Sequence, residues 1–187
     1  MFVSQLNWMR TAVLSRLRDL SVEELDWLPH PDANSIGALL IHLAASEVYY
    51  GLNTFDGVPW GRFSYDIRKK WGVAINLGQT ARVRYKGFDL SYYLSHLVDA
   101  REHTLSELGK RNDEWLMAID TTWSWGPTNN LCKWFHICEH ESHHLGQIDV
   151  ILKQLPGRQR NDKRSLQRPG VTHCTRGGFA TRGSSDI

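Results

Sequence analysis

Residues 35–53 are apolar nearly all round for their first half, Ser35-Ile36-Gly37-Ala38-Leu39-Leu40-Ile41-His42-Leu43-Ala44-Ala45. A helix that is apolar on every side must lie among other helices or in a membrane. No apolar run in the chain reaches the ~18 residues a membrane span needs, so this stretch is predicted to be the buried central helix of a bundle. Ser35 is placed to open it. His42 stands in its middle.

Three further stretches supply the neighbours. Residues 4–20 carry Leu6, Met9, Val13, Leu17 and Leu20 at helical spacing, which predicts an amphipathic first helix. Asp89 can cap another, running to about Lys110, with Leu90, Leu94, Leu97, Thr104, Leu105 and Leu108 as its inner stripe. Thr128 or Asn129 can cap the last, which ends near Leu155 where Pro156-Gly157 stops it. Ser21-Val22-Glu23-Glu24 has the form of a capping box and predicts a short helical piece. No stretch alternates as a strand would. The expectation is an all-α four-helix bundle over residues 1–157, with longer connections at 54–88 and 111–127. Tyr65 to Trp71 can form a helical turn or two within the first connection. Its aromatics Trp60, Phe63, Tyr65 and Trp71 are expected to pack, with covering a site mouth as the alternative.

Residues 158–187 change character. They hold seven Arg or Lys and two Asp, with little apolar content, and are expected to be a disordered tail. The net charge of +2 is therefore misleading: residues 1–157 keep 15 basic and 18 acidic residues, a net of −3. No basic patch interleaved with aromatics lies in the bundle, which argues against nucleic acid as the partner. The three cysteines, Cys132, Cys138 and Cys174, show no paired spacing. With no basic leader before a long apolar segment at the N-terminus, the expectation is a cytoplasmic protein without disulfides or a membrane anchor. His173 and Cys174 in the tail are a weak metal signal.

Four of the nine histidines fall in residues 134–148. His140 and His144 are four apart, one helical turn plus about 40°, so both rings leave the same face. That face also carries Ile137, Ile148, Ile151 and Leu155. Two imidazoles buried among aliphatic groups need their nitrogens satisfied, and a metal ion does so. His42 reads either as a buried histidine bonded to a neighbour or as a third ligand. His136 is rotated about 80° from His144 and His143 about 100°, so His136 is assigned to packing or to the surround of the site, and His143 faces elsewhere. His96 and His103 are expected to be structural or solvent-facing. Glu141 is expected to be a solvated helix residue, with a general base as the alternative. His140-Glu141-Ser142-His143-His144 also fits the short H-E-x-x-H pattern of zinc peptidases, but nothing at metzincin spacing follows it and no strand precedes it. A di-iron bundle would need two Glu-x-x-His pairs, and only Glu141-x-x-His144 is present.

Asn34-Ser35-Ile36-Gly37, His42-Leu43-Ala44 and, about a hundred residues on, His140-x-x-x-His144-x-Gly146-Gln147-Ile148 together resemble the DinB/YfiT-like superfamily. Asp89-Leu90-Ser91-Tyr92-Tyr93 and Thr104-Leu105 with Glu107-Leu108 resemble a branch of it defined only as a domain of unknown function. The resemblance spans roughly residues 1–157. It implies a four-helix bundle, often a homodimer, and a divalent metal, zinc or nickel, held by His42, His140 and His144. Three protein ligands leave a position open, as in catalytic sites. It further implies a metal-dependent transferase of low-molecular-weight thiols, or a related hydrolase or isomerase, acting on a thiol and an electrophilic small molecule. The alternative is a bundle that holds a metal without turnover, as a stress-related, sensing or interaction module.

Overall fold

The computed structural model describes residues 2–157. The tail and its His173 and Cys174 lie outside the described residues. The elements are α1 (Phe2–Arg16), α2 (Val22–Asp26), α3 (Ile36–Thr54), α4 (Tyr65–Asn76), α5 (Gly78–Arg84), α6 (Leu90–Leu108), α7 (Asp113–Met117), β1 (Ile119–Asp120), β2 (Thr128–Asn129) and α8 (Asn130–Gln154). The four long helices α1, α3, α6 and α8 form the bundle. α3 packs against α6 and α8, and α1 lies along α8. As its composition requires, α3 is buried along almost its whole length. No described helix is long and apolar enough to cross a membrane.

The caps follow the side-chain chemistry of the sequence. Ser35 accepts from the Ala38 N–H, Asp89 from Tyr92 and Asn129 from Cys132. Ser21 and Glu24 form a reciprocal capping box. Gly37 is set by a close approach: a Cβ there would stand 2.5 Å from Tyr93 Oη. That hydroxyl donates to the Tyr85 carbonyl at 2.6 Å and ties α6 to the end of α5.

The structure departs from the sequence expectation in three places. The first helix ends at Arg16 rather than Leu20, because Asp19 turns the chain with φ 57°; Leu17 and Leu20 remain buried beyond the helix end. Residues 54–88 hold two full helices. α4 is capped by Ser64 and buries Trp71 and Ala74, and α5 buries Ala81. Both lie against α3. Residues 111–127 contain α7 and, with Thr128 and Asn129, a two-residue antiparallel ladder pairing Ile119 with Asn129 and Asp120 with Thr128.

Between α4 and α5, Leu77 takes φ 53° and ψ −153°. A residue with a Cβ rarely adopts that conformation, which costs on the order of 1–3 kcal/mol and persists only where its surroundings hold it. Two contacts hold it here: the Leu77 side chain packs on the main core, and the next N–H, of Gly78, donates to Asn34 Oδ1 at 3.1 Å.

Candidate metal centre

His42 from the middle of α3 meets His140 and His144 from α8. The His140 Nε2 lies 3.0 Å from the Nε2 of His42 and 3.0 Å from that of His144. One ligand atom from each residue can be chosen so that all three lie within 4.8 Å of one another. His42 and His144 are buried, at 7% and 5% exposure, and His140 is half-buried.

The outer nitrogens decide what the inner ones can do. His42 Nδ1 lies 2.9 Å from the Ala74 carbonyl at the end of α4. A carbonyl only accepts, so Nδ1 carries the proton and Nε2 presents a lone pair. His144 Nδ1 lies 2.8 Å from Gln147 Oε1, while Gln147 Nε2 faces His143 Nε2 at 3.2 Å. With the amide oriented in that way, His144 also presents a lone pair at Nε2. Two lone pairs therefore face His140 Nε2, and one proton there can satisfy only one of them. A cation among the three nitrogens satisfies all of them. Tetrahedral metal–nitrogen bonds of about 2.0–2.1 Å place nitrogens about 3.3 Å apart, close to the two separations of 3.0 Å that involve His140. The donor set thus fits a divalent ion. Ala74 and Gln147 play the part of the outer partners that orient metal-bound imidazoles.

Electrostatics point the same way. Burial, with His144 adding, pushes His42 down to about 4. Burial and the neighbouring imidazoles push His140 down to about 3. His144 is also lowered by burial, against the pull of its Gln147 contact. All three rings are neutral at pH 7 and so ready to ligate.

His136 and His143 fall where the helical angles placed them. The His136 ring lies 5.9 Å from His140, over Tyr50 and edge-on to Trp125, with Nδ1 3.4 Å from the Glu139 carboxylate. It stands outside the three-residue group. His143 is exposed and meets Gln147. His96 is edge-on to Trp71 and Tyr92, and His103 to Phe55.

Glu141 corrects the sequence reading. It is not solvated: it is 1% exposed. Its two oxygens accept from Arg10 Nε and from Arg101 Nη2, the latter at 3.0 Å. The same two guanidiniums hold Glu47, Arg10 at 2.8 Å and Arg101 at 2.7 Å. Two arginines and two glutamates thus close a ring inside the bundle, one residue from each long helix. Arg10 also donates to the Leu97 carbonyl and Arg101 to the Leu6 carbonyl. Burial pushes the Glu47 carboxyl up, but Arg10 and Arg101 outweigh it and hold the carboxyl below its usual range. A carboxylate held on both oxygens by guanidiniums is not free to activate water, which removes the feature on which the peptidase pattern depends. The sequence did hold a signal. Arg10, Glu47 and Arg101 each sit among core positions of their helices, and a charge in such a place needs a partner.

No curated protein matches the chain. The family model described as the DinB superfamily matches residues 5–148, which include all three histidines, Gln147 and the whole buried ring of charges. With an all-α bundle and a converging histidine triad beside that match, the chain belongs to the DinB superfamily.

Proposed function

We propose that this protein is a metal-dependent enzyme transferring or rearranging groups on low-molecular-weight thiols, with the ion held by His42, His140 and His144. The observation that carries the reading is the opposed set of Nε2 lone pairs, fixed from behind by the Ala74 carbonyl and Gln147. A divalent ion, zinc or nickel, supplies a Lewis-acid centre that lowers the pKa of a thiol toward neutral pH. The chain's own contributions are geometric. Ala74 and Gln147 set the tautomers of His42 and His144. Burial keeps the rings neutral. The half-exposed side of His140 gives the approach for a small thiol.

The test has two stages. Purified protein is expected to carry about one divalent ion per chain by elemental analysis, lost in His42→Ala and His144→Ala. Metal-loaded protein is then offered small electrophiles with bacillithiol, mycothiol, glutathione or cysteine. Turnover with one of these thiols, abolished in His144→Ala, supports a transferase. Bound metal without turnover for any thiol refutes it and leaves a metal-binding module. Protein without metal, unaltered in stability by either substitution, refutes the site itself.

A further inference from the structure

A cleft of about 650 Å³ opens between α3, α4, the start of α5 and the segment that joins α3 to α4; none of the three histidines lines it. The proposed metal reading does not use it. The volume lies in the range of small-molecule sites. Tyr49, Phe63 and Trp60 form one wall, with the Tyr49 and Phe63 ring centroids 4.2 Å apart and Trp60 edge-on to Phe63 at 5.6 Å. The opposite side is the last turn of α4, with Asn76 and the strained Leu77. Arg68 is the only charged residue in the lining. It is exposed, forms no ion pair with a carboxylate among the described residues, and acts electrostatically on the Tyr49 hydroxyl.

We propose that this cleft binds a small molecule with a flat aromatic body and one anionic group, its body packed against the half-buried Trp60 beside the buried Tyr49 and Phe63, with the anion on Arg68. The lining contains no carboxylate to repel an anion. A guanidinium suits a planar carboxylate or a phosphate through paired N–H donors. Aromatic walls favour a flat apolar body. The cleft and His42 with its Ala74 partner draw on the same two helices, α3 and α4. Ala74, whose carbonyl orients His42, is three residues before Leu77 on the rim. Tyr49 is seven residues after His42, on the same face of α3 about two turns along. The inference rests on the proposed thiol chemistry in taking this ligand as the electrophilic partner. The common small thiols carry no flat aromatic body and would not fill the wall.

Binding can be read without turnover. Isothermal titration of the full chain uses 1-naphthylacetate, 1-naphthyl phosphate and the neutral 2-(1-naphthyl)ethanol, and the Trp60 indole N–H shift in NMR reports the location. An anion is expected to bind about tenfold tighter than the alcohol, as a charge-assisted contact gives, and to shift Trp60. Arg68→Gln is expected to erase that preference while leaving the alcohol unchanged. Lys69→Gln, on the same helix but outside the lining, keeps it. Whichever anion binds tighter identifies the head group. Equal binding of anion and alcohol, an unmoved Trp60, a preference that survives Arg68→Gln, or no binding of either anion at millimolar concentration overturns the proposal. His144→Ala separates the two readings. Anion binding retained there upholds the cleft even if the thiol screen fails, and anion binding absent from wild type sinks the cleft even if the screen succeeds.

Discussion

Replacing Glu141 with Gln tests the assignment of this residue most directly. The wild-type ring balances two guanidiniums against two carboxylates at exposures of 1% to 6%. Glu141→Gln keeps the shape but leaves Arg10 and Arg101 sharing Glu47 alone, one uncompensated positive charge in the core. Breaking a buried ion pair from one side costs about 3–5 kcal/mol. Gln retains one carbonyl oxygen that can still accept from one arginine, so the lower end, about 3 kcal/mol, is expected. At about 2–4 °C per kcal/mol for a chain of this size, the melting temperature should fall by roughly 6–12 °C. Urea unfolding with a chelator present measures the loss without stabilisation by bound metal. Glu139→Gln, an exposed neighbour on α8, should stay within about 0.5 kcal/mol. Arg101→Gln combined with Glu141→Gln restores neutrality and should cost less than the sum of the single changes by about 1 kcal/mol or more. A loss below about 1 kcal/mol for Glu141→Gln, or strict additivity in the double variant, refutes the coupled ring. Peptide cleavage abolished by Glu141→Gln at unchanged stability would instead restore the peptidase reading.

Gln147→Leu removes the acceptor behind His144 and should weaken zinc binding about 10–100-fold, measured by competition with a chromophoric chelator; unchanged affinity refutes its orienting role. Gly37→Ala drives a Cβ to 2.5 Å from Tyr93 Oη and should cost about 1–3 kcal/mol, part of it recovered by adding Tyr93→Phe; a change under about 0.5 kcal/mol in urea unfolding refutes the close approach. The metal-free protein should lose stability as pH falls from 6.5 toward 4, because the unfolded chain takes up protons on His42 and His140 that the folded chain, with these groups at about 4 and about 3, does not. At pH 5 the His42 shift alone amounts to roughly 2 kcal/mol relative to neutral pH, so equal urea midpoints at pH 7.5 and 5 refute it. Glu47, held below its usual range, adds its own loss only under pH 4.5.

What could be read from the sequence follows the reach of periodicity. The four long helices announce themselves because each repeats its apolar residues over several turns and begins at a side chain able to cap it. The His140 and His144 pair was legible for a related reason, because a four-residue spacing fixes two rings on one face; His42 stayed open between a bonded core histidine and a third ligand, and only the family resemblance joined it to the pair. α4 was legible only in its first turns, Tyr65 to Trp71, and α5 not at all, because their buried residues are few: Trp71 and Ala74 in one, Ala81 in the other. Their boundary falls on a leucine with positive φ, a residue that carries no breaker signal. A two-residue ladder such as β1–β2 offers no period to detect. Glu141 was misread because helical angle tells which way a side chain leaves its own helix, not what stands opposite. It lies about 100° from His140, which is away from the metal but not toward water.

That angle also joins the two features of the bundle. α8 sends His140 and His144 to one side and Glu141 to another, and α3 does the same with His42 and Glu47, five residues and about 140° apart. The ring of charges therefore fixes the rotation of both helices that supply the histidines, through partners on α1 and α6 that touch no ligand. Rotating α8 by one residue's worth would move Glu141 off both guanidiniums and carry His140 and His144 off their common point together. A charge ring is a costly way to hold a core, since apolar residues of equal volume often stabilise as well or better. It is, however, directional in a way that aliphatic contacts are not. The same burial that makes the ring costly keeps it rigid, and rigidity is what a three-imidazole site needs to hold its geometry before an ion arrives.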